Sequence, residues 1–518
     1  MQRGEKIYAE KCLLCHQAAG QGAPPIFPPL ASSDWLTGDG SRAIRAVVEG
    51  LSGPIQVNGV VYDNAMPAQV LDDQQVADVL TYVSNSWGDQ RGAFSASQVR
   101  EVRGMTRFKT FDALVQASTY QPLPRPPRGF KVRTVAELPE FFTRMAGHRD
   151  ARVVYLLSGP GGISTLDPAS GAIVPIIKPA DYHDFLRGDV VSLGMTLDRE
   201  NRLWIVSNQK LNQGVEVNTN EVTIWRTTAT VNGHPAKPEP WFRTSYPQGV
   251  GGFNHGVSHI AFGPDGLLYL SSGSRTDGGE GSKKPRFFPG GEVDLTACLW
   301  RLDPKAEKPE LEIYARGIRN AYGFAWDSRG QLFTFSNGPD YDAGEEMDAI
   351  ERGRHYGFPY QYENWEAKPG FPYPHTPAPP DGAAFTPPVV NAGPDGGFKK
   401  EPSRTFDPHS SPGGTIWCGD DFPEPVRNGF LMPRFGNLLA KQDDAGFDVL
   451  AVHPQKQPDG TWQARVQRVL APLGRPLDLL QIGTGRVLIL EYTRPTDFKS
   501  RLGWLPGRII ELAAEQER

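Results

Sequence analysis

Two hydrophobic periodicities divide the chain. Between residues 71 and 88 the apolar positions Leu71, Val76, Val79, Leu80, Val83 and Trp87 return at helical spacing, and Asp72 and Asp73 stand where the positive end of a helix would begin. This predicts a helix that closes a small N-terminal domain. Beyond residue 128 the period changes to two. An alternating strand, a polar turn and a second alternating strand recur at 194–207, 259–271 and 323–336. Weaker copies lie at 151–158, near 415–419 and at 477–490, which brings the count to about six.

Radial repetition of antiparallel units builds a β-propeller, whose short edges stay protected. A β-sandwich of similar composition is the alternative, but it accounts less well for so long a repeat. Turn chemistry such as Pro264-Asp265-Gly266 separates the strands. The fold class expected is therefore a small all-α domain followed by an all-β propeller of about six blades. Between them the pattern loses periodicity and ends in Gln121-Pro-Leu-Pro-Arg-Pro-Pro-Arg-Gly129, a stiff, donor-poor run. Residues 1–91 are read as the first domain, 92–128 as a linker and 129–518 as the propeller.

Composition supports a turn-rich globular protein, with 57 Gly, 47 Pro and 22% charged residues in 518. A net charge of -5 gives no field suited to nucleic acid or an anionic membrane, so neither is expected as a partner. No apolar run of about 18 residues occurs, and the segment starting Met1-Gln2-Arg3 lacks a signal-peptide core. A mature chain that does not span a membrane, its export signal removed, is the expectation.

The four cysteines differ in meaning. Cys12-Leu-Leu-Cys15-His16 has the C-x-x-C-H spacing in which two thiols form thioethers with haem vinyl groups and the adjacent imidazole ligates iron. Met66, in Asn64-Ala-Met-Pro-Ala, is the candidate second axial ligand, a thioether that raises the reduction potential. A zinc or redox Cys-x-x-Cys is the alternative for the pair, and an ordinary loop methionine for Met66. Cys298 and Cys418 are isolated in apparent strands, where packing as small hydrophobes outweighs a disulfide. Gly4 and Tyr8, the haem motif, Met66-Pro67 and the closing helix together resemble a class I bacterial cytochrome c over roughly residues 1–90. The resemblance implies covalent haem c, attached outside the bacterial cytoplasmic membrane, and hence a periplasmic or otherwise extracytoplasmic protein.

Three phrases after the linker resemble the soluble quinoprotein glucose dehydrogenase and sorbosone dehydrogenase superfamily. They are Asn254-His255 before Asp265, Gly317-Ile318-Arg319-Asn320, and Asn337-Gly338-Pro339 followed by Glu345-Glu346 and His355-Tyr356-Gly-Phe-Pro359. The resemblance implies pyrroloquinoline quinone and calcium over the central channel, on loops that connect blades. It makes His255 the base for a substrate hydroxyl proton, a task suited to a neutral imidazole. Arg319 and Asn320 match the pair that stabilises charge developing on the quinone oxygen. Arg475 matches a ligand of the quinone carboxylates, and Arg434 lies near, but not on, the position of a family lysine. The carbonyls of Gly338 and Pro339 would hold calcium, and Glu346 and Tyr356 align with a second, structural calcium site.

Ordinary roles compete at each position: a backbone-bonded loop histidine for His255, an inter-blade tie for Arg319 and Asn320, a salt bridge for Arg434 and a Gly-Pro turn for 338–339. His259, at a strand start, is expected to pack in its blade. The chain departs from the family pattern at Asp189, where a glutamine is usual, at Asn254, which replaces an acid, and at Leu477, which replaces an arginine. His409-Ser-Ser-Pro412 lies near a cofactor loop. The function expected is a quinohaemoprotein dehydrogenase. It would oxidise a sugar or related alcohol or aldehyde and pass electrons through haem c to an external acceptor such as another cytochrome. The alternatives are a cytochrome-linked propeller without quinone catalysis, acting in binding or electron transfer, and a haem-containing nitrite reductase of similar architecture.

Overall fold

The computed structural model describes residues 1–518 apart from 25, 38–39, 52–53, 105–119, 121, 149–151, 213, 229–234, 250–254, 341–342, 364–369, 371–372, 396–404, 438–444, 495–505 and 516–518. Two compact units emerge, one over Met1–Gln121, Leu438–Gln442 and Thr493–Pro506 and one built from Pro122–Asn437, Asp443–Tyr492 and Gly507–Arg518.

The small unit carries helices at Gln2–Lys11, Leu13–His16, Ser41–Glu49, Asp73–Val83 and Ala96–Gly104, with a two-stranded hairpin at Ile55–Val57 and Val60–Tyr62. The predicted closing helix starts late and stops early. Asp72 caps it by accepting from Gln75 N while the Gln75 side chain accepts from Asp72 N, and it ends at Val83 rather than reaching Gly88. Trp87, with φ of 57°, turns the chain back, and its indole N–H donates to Ala18 O at 2.7 Å. Gly4 lets the first helix touch this one, since a Cβ there would lie 2.0 Å from Asp78 O. The stretch read as linker is in part domain. Val99 and Val102 of Ala96–Gly104 join the small core, and Arg103 donates to Asp73 Oδ1 and Leu71 O, both at 2.8 Å.

The large unit is a six-bladed propeller. Blade 1 is Phe142–Ala146, Val154–Ser158, Ile163–Leu166 and Ile173–Ile177. Blade 2 is Asp189–Leu197, Leu203–Leu211, Thr219–Thr227 and Pro238–Pro247, and blade 3 is Val257–Phe262, Leu268–Ser272, Cys298–Leu302 and Glu312–Arg316. Blade 4 has three strands, Ala321–Trp326, Leu332–Ser336 and Glu346–Ile350. Blade 5 comprises Ile416–Cys418, Gly429–Arg434, Asp448–Lys456 and Trp462–Leu470, with Val390–Pro394 added in parallel at its outer edge. Blade 6, Pro476–Gly483, Arg486–Glu491 and Arg508–Ala514, is completed by the early strand Phe130–Glu137, so the two ends of the domain close one sheet.

The recurring phrase in the sequence is the inner hairpin of a blade: the three strong copies fall in blades 2, 3 and 4, and the weaker ones in 1, 5 and 6. Apolar side chains fill the seams between blades. Trp204 and Val222 of blade 2 pack with Ile260 and Trp300 of blade 3, and Leu431 and Val449 of blade 5 with Leu479 and Val487 of blade 6. Cys298 and Cys418 are free, buried members of these seams in different blades. His259 packs edge-on against Phe324 with ring centroids 4.4 Å apart, as expected of a blade residue.

The innermost strands meet around the axis at Arg144 of blade 1, which is 1% exposed. Its guanidinium donates to Leu193 O at 3.0 Å, Ser258 O at 2.9 Å, Tyr322 O at 3.0 Å and Asp478 Oδ1 at 3.0 Å, reaching blades 2, 3, 4 and 6. Asp478 Oδ2 accepts from Met145 N at 2.7 Å. Blade 5 contributes Gly414, where a Cβ would fall 1.8 Å from Asp478 Oδ1, so only glycine fits. Arg144→Ala strips four acceptors of their donor and leaves the Asp478 carboxylate buried without its counter-charge. The propeller is expected to lose about 3–5 kcal/mol, read by chemical denaturation followed through its β-sheet circular dichroism.

Candidate functional site

In the small unit the turn from Cys12 brings Cys15 N to 3.2 Å and His16 N to 2.9 Å from Cys12 O. His16 Nδ1 lies 3.0 Å from Pro28 O, which can only accept, so Nδ1 carries the proton and Nε2 keeps a lone pair for a metal. Leu51 and Met66 exchange both backbone hydrogen bonds, at 2.7 and 2.9 Å, which clamps the methionine loop. His16, Met66 and Cys12 line one apolar cleft, with Leu30, Val47 and Leu80, that opens to solvent and spans about 620 Å³. Burial pushes the thiols of Cys12 and Cys15 up to about 12. An imidazole, a thioether and two neutral thiols around an apolar slot fit a covalently held haem.

In the propeller the antiparallel order places the entry to each innermost strand and the loop between its second and third strands on one face. Backbone bonds join the two sets, Ser274 N to Arg319 O at 2.7 Å, Asn337 N to Asn320 O at 2.9 Å and Phe435 N to Ser411 O at 2.9 Å. His255 enters blade 3 on this face. Its Nδ1 is 3.0 Å from Ser274 O and 3.1 Å from Ser274 Oγ, whose own hydrogen goes to Thr276 O at 2.8 Å. Both partners therefore accept, and Nε2 holds the lone pair. Burial, then the Arg319 charge, lowers the imidazole to about 3, so it is neutral at physiological pH.

Arg319, 5% exposed, enters blade 4 and is fixed by Asp277, donating to its carbonyl at 3.0 Å and to Oδ1 at 2.8 Å, and to Asn337 O at 3.1 Å. Two of its five N–H groups have no partner among the described residues. Gly273 brings the neighbouring groups together, since a Cβ there would lie 2.5 Å from His255 Cβ and 2.8 Å from Asn320 Oδ1. Gly338 and Pro339 sit in the next loop, and among the described residues no donor reaches either carbonyl oxygen. Two adjacent carbonyls without donors suit a hard cation. Among the described residues no group of three or more His, Cys, Asp or Glu side chains is disposed to hold a metal, so a cation there would lean on these carbonyls and water.

Other expected site residues fall elsewhere. Arg434, 0% exposed, is committed to Asp448 through two bonds of 2.8 and 2.7 Å and to Asp407 at 3.3 Å, so the salt-bridge reading replaces the quinone-ligand one. Arg475 lies over Phe435 and Phe447, with Nη1 donating to Asn437 O at 2.9 Å, and serves the loop it underpins. The Tyr356 hydroxyl donates to Ala349 O at 2.8 Å and accepts from Glu351 N at 2.7 Å, so its side chain is committed to the protein. Glu346 is half-buried beside Asp348 and accepts from Glu363 N. Burial and Asp348 hold its carboxyl well above the ordinary range, and burial takes Asp348 to about 8. Asp189 pairs in register with Lys210 at the blade 2 entry, Leu477 O accepts from Gly414 N at 2.8 Å, and Asn254 lies outside the described residues.

Sequence reasoning passed over Ser274 and Asp277, which hold His255 and Arg319 from a loop with no repeat signature. A second opening of about 1210 Å³, lined by Glu292, Arg316, His355, Phe358 and Phe385, does not include His255 or Arg319.

Residues 1–87 match the family model for cytochrome c, and residues 198–390 the model for glucose/sorbosone dehydrogenase. The N-terminal part is 38% identical over 110 residues to cytochrome c-552 of Thermus thermophilus, covering 19% of this chain and 83% of that protein. It is 32% identical over 105 residues to the cytochrome c subunit of the quinone alcohol dehydrogenase of Gluconobacter oxydans, covering 19% of this chain and 22% of that one. The large unit has the fold of the PQQ-bound aldose sugar dehydrogenase from Streptomyces coelicolor, with a TM-score of 0.50 at 19% identity over 76% of this chain and 100% of that one. It also has the fold of the soluble aldose sugar dehydrogenase from Escherichia coli, at 0.51, 15%, 74% and 100%.

Two outcomes follow from this geometry. Met66→His is expected to lower the haem midpoint potential within the about 0.8 V that axial ligands span, measured by spectroelectrochemical titration. Ser274→Asp sets a carboxylate at Nδ1 and is expected to raise the His255 pKa from its lowered value, whereas Ser274→Ala, which keeps the carbonyl acceptor, leaves the Nε2 lone pair in place. Nitrogen NMR of 15N-histidine-labelled protein reads both.

Proposed function

The chain belongs to the cytochrome c family over residues 1–87 and joins that domain to a glucose/sorbosone dehydrogenase-like propeller, and from this we propose that it is a quinohaemoprotein oxidoreductase acting on a sugar or related alcohol. The observation that carries the reading is the convergence of three features on one face of the propeller. They are a neutral histidine with Nε2 available, an arginine with two N–H groups to offer, and a pair of carbonyls that no donor reaches among the described residues. The Streptomyces coelicolor enzyme that shares this fold is a PQQ-bound form, which supports the same cofactor here.

When bound, pyrroloquinoline quinone would supply a two-electron hydride acceptor and haem c a one-electron relay to an external acceptor such as another cytochrome. His255 receives the substrate hydroxyl proton at Nε2, since Nδ1–H is spent on Ser274. Asp277 prevents Arg319 from turning away, so its remaining N–H groups meet developing negative charge without reorganising. The carbonyls of Gly338 and Pro339 would hold calcium, and Glu346 is the candidate for a second ion. Thioether attachment through Cys12 and Cys15 argues for maturation and residence outside the cytoplasm, in the periplasm or beyond. No helix among the described residues is long and apolar enough to cross a membrane.

Arg434 and Arg475 serve protein partners, which favours a second reading, a cytochrome-linked propeller that does not use the quinone. Haem α-band absorbance separates the two. After oxidised protein receives the quinone and Ca²⁺, addition of a panel of aldoses, ketoaldoses and alcohols is expected to reduce the haem, and His255→Ala to slow that reduction by about 10²–10⁴-fold. Haem that stays oxidised with every substrate, in the presence of both cofactors, supports the second reading.

A further inference from the structure

Glu345 ends the loop that follows Gly338 and Pro339, and it is 2% exposed. Its carboxylate accepts from Gly338 N at 2.5 Å through Oε2 and from Ser411 N at 3.1 Å through Oε1. The first N–H belongs to a blade 4 loop and the second to the entry of blade 5, so a single buried side chain joins the two across their seam. Asn337 makes a parallel tie, its Nδ2 donating to Asn320 O at 3.1 Å and Pro412 O at 3.3 Å.

The peptide between Asn337 and Gly338 is thereby gripped at both ends. Its oxygen accepts from Arg319 Nη1 at 3.1 Å and its N–H donates to Glu345. A planar trans peptide held at both poles cannot rotate, which anchors the backbone immediately before the two carbonyls. The site also excludes a side chain at Gly338, where a Cβ would lie 2.9 Å from Gly344 O and 3.1 Å from Ala343 O. On the other side His409 and Ser411 adopt φ of 60° and 52°, a left-handed conformation costly for residues other than glycine, which persists where surroundings over-determine it. Ser411 N is held by Glu345 while Phe435 N donates to Ser411 O at 2.9 Å and Gly436 N to Ser410 O at 2.8 Å.

We infer that Glu345 is a positioning residue that clasps the Gly338–Pro339 loop to the 409–412 loop and aims the two donor-free carbonyls at a divalent cation. The inference rests on the reading of those carbonyls as calcium donors. Glu345 touches neither substrate nor cation in this role; it acts through the backbone it holds. Glutamine preserves the shape but presents an NH₂ to one of the two N–H groups, so one arm of the clasp opens. Aspartate keeps the charge but is one methylene too short to span both loops.

The test is the calcium concentration needed for full-length, haem-loaded protein to retain pyrroloquinoline quinone in equilibrium dialysis, a binding readout independent of turnover. Glu345→Gln and Glu345→Asp are each expected to raise the half-saturating calcium concentration by tenfold or more. Wild-type retention with unchanged calcium dependence in both variants overturns the clasp. A wild-type protein that retains no quinone at any calcium concentration overturns the calcium reading, and the inference with it. Hydrogen exchange of the wild-type protein gives a check that does not depend on a variant folding. The amides of Gly338 and Ser411 are expected to exchange slowly with and without calcium, and free exchange at both positions overturns the clasp.

Discussion

Everything at the mouth of the propeller depends on how the innermost strands are held at the axis. Arg144 offers its guanidinium to three carbonyls and one carboxylate from four other blades, and Gly414 of the remaining blade has no side chain because that carboxylate lies against it. Burying an arginine is costly unless its hydrogen bonds are met, and here the partners are the strands that must be kept in register. Burial pushes the Asp478 carboxyl upward while Arg144 opposes it, so the pair is maintained against desolvation by its partners. The axis is thus filled by a polar hub that the apolar seams alone would not specify.

Fixing the strands fixes where their loops emerge, and the candidate site consists of what those loops carry. Its histidine is oriented by neutral partners and its arginine by a carboxylate and backbone carbonyls. Ser274 gives His255 two acceptors without a negative charge, so the imidazole stays neutral and Nε2 is exposed to reaction. Asp277 supplies the negative charge instead to Arg319, through both a carboxylate and a carbonyl. The division keeps base and cation distinct although the Arg319 charge is felt at His255. In the small unit the same logic recurs, with the Pro28 carbonyl setting the tautomer of His16.

Much of this was legible in the sequence, for identifiable reasons. The inner hairpin of a blade is a local object of period two with a polar turn, so the six copies could be read in order, and C-x-x-C-H carries its chemistry in five residues. Reading failed where the determining contact is distant in sequence. The Ala96–Gly104 helix looked like linker because its apolar face is only Val99 and Val102, and it is completed by a core built from earlier residues. Arg434 was expected at the cofactor because nothing near it in sequence reveals Asp448 on the facing strand. Tyr356 differs, since the Ala349 carbonyl and Glu351 amide that occupy its hydroxyl lie just before it in sequence. Asp277 and Ser274 lie in a long irregular loop, where no periodicity marks a residue as a partner.

The central claim is that the channel mouth binds a quinone through Arg319 and a cation held on backbone carbonyls. Its most direct test is calorimetric titration of pyrroloquinoline quinone into the oxidised, haem-loaded chain, with Ca²⁺ present and with Ca²⁺ removed by chelation. The account predicts one quinone bound per chain with calcium, and binding that is lost on chelation and weakened in Arg319→Ala. Absence of binding in the presence of calcium, or binding that ignores both calcium and Arg319, would contradict it.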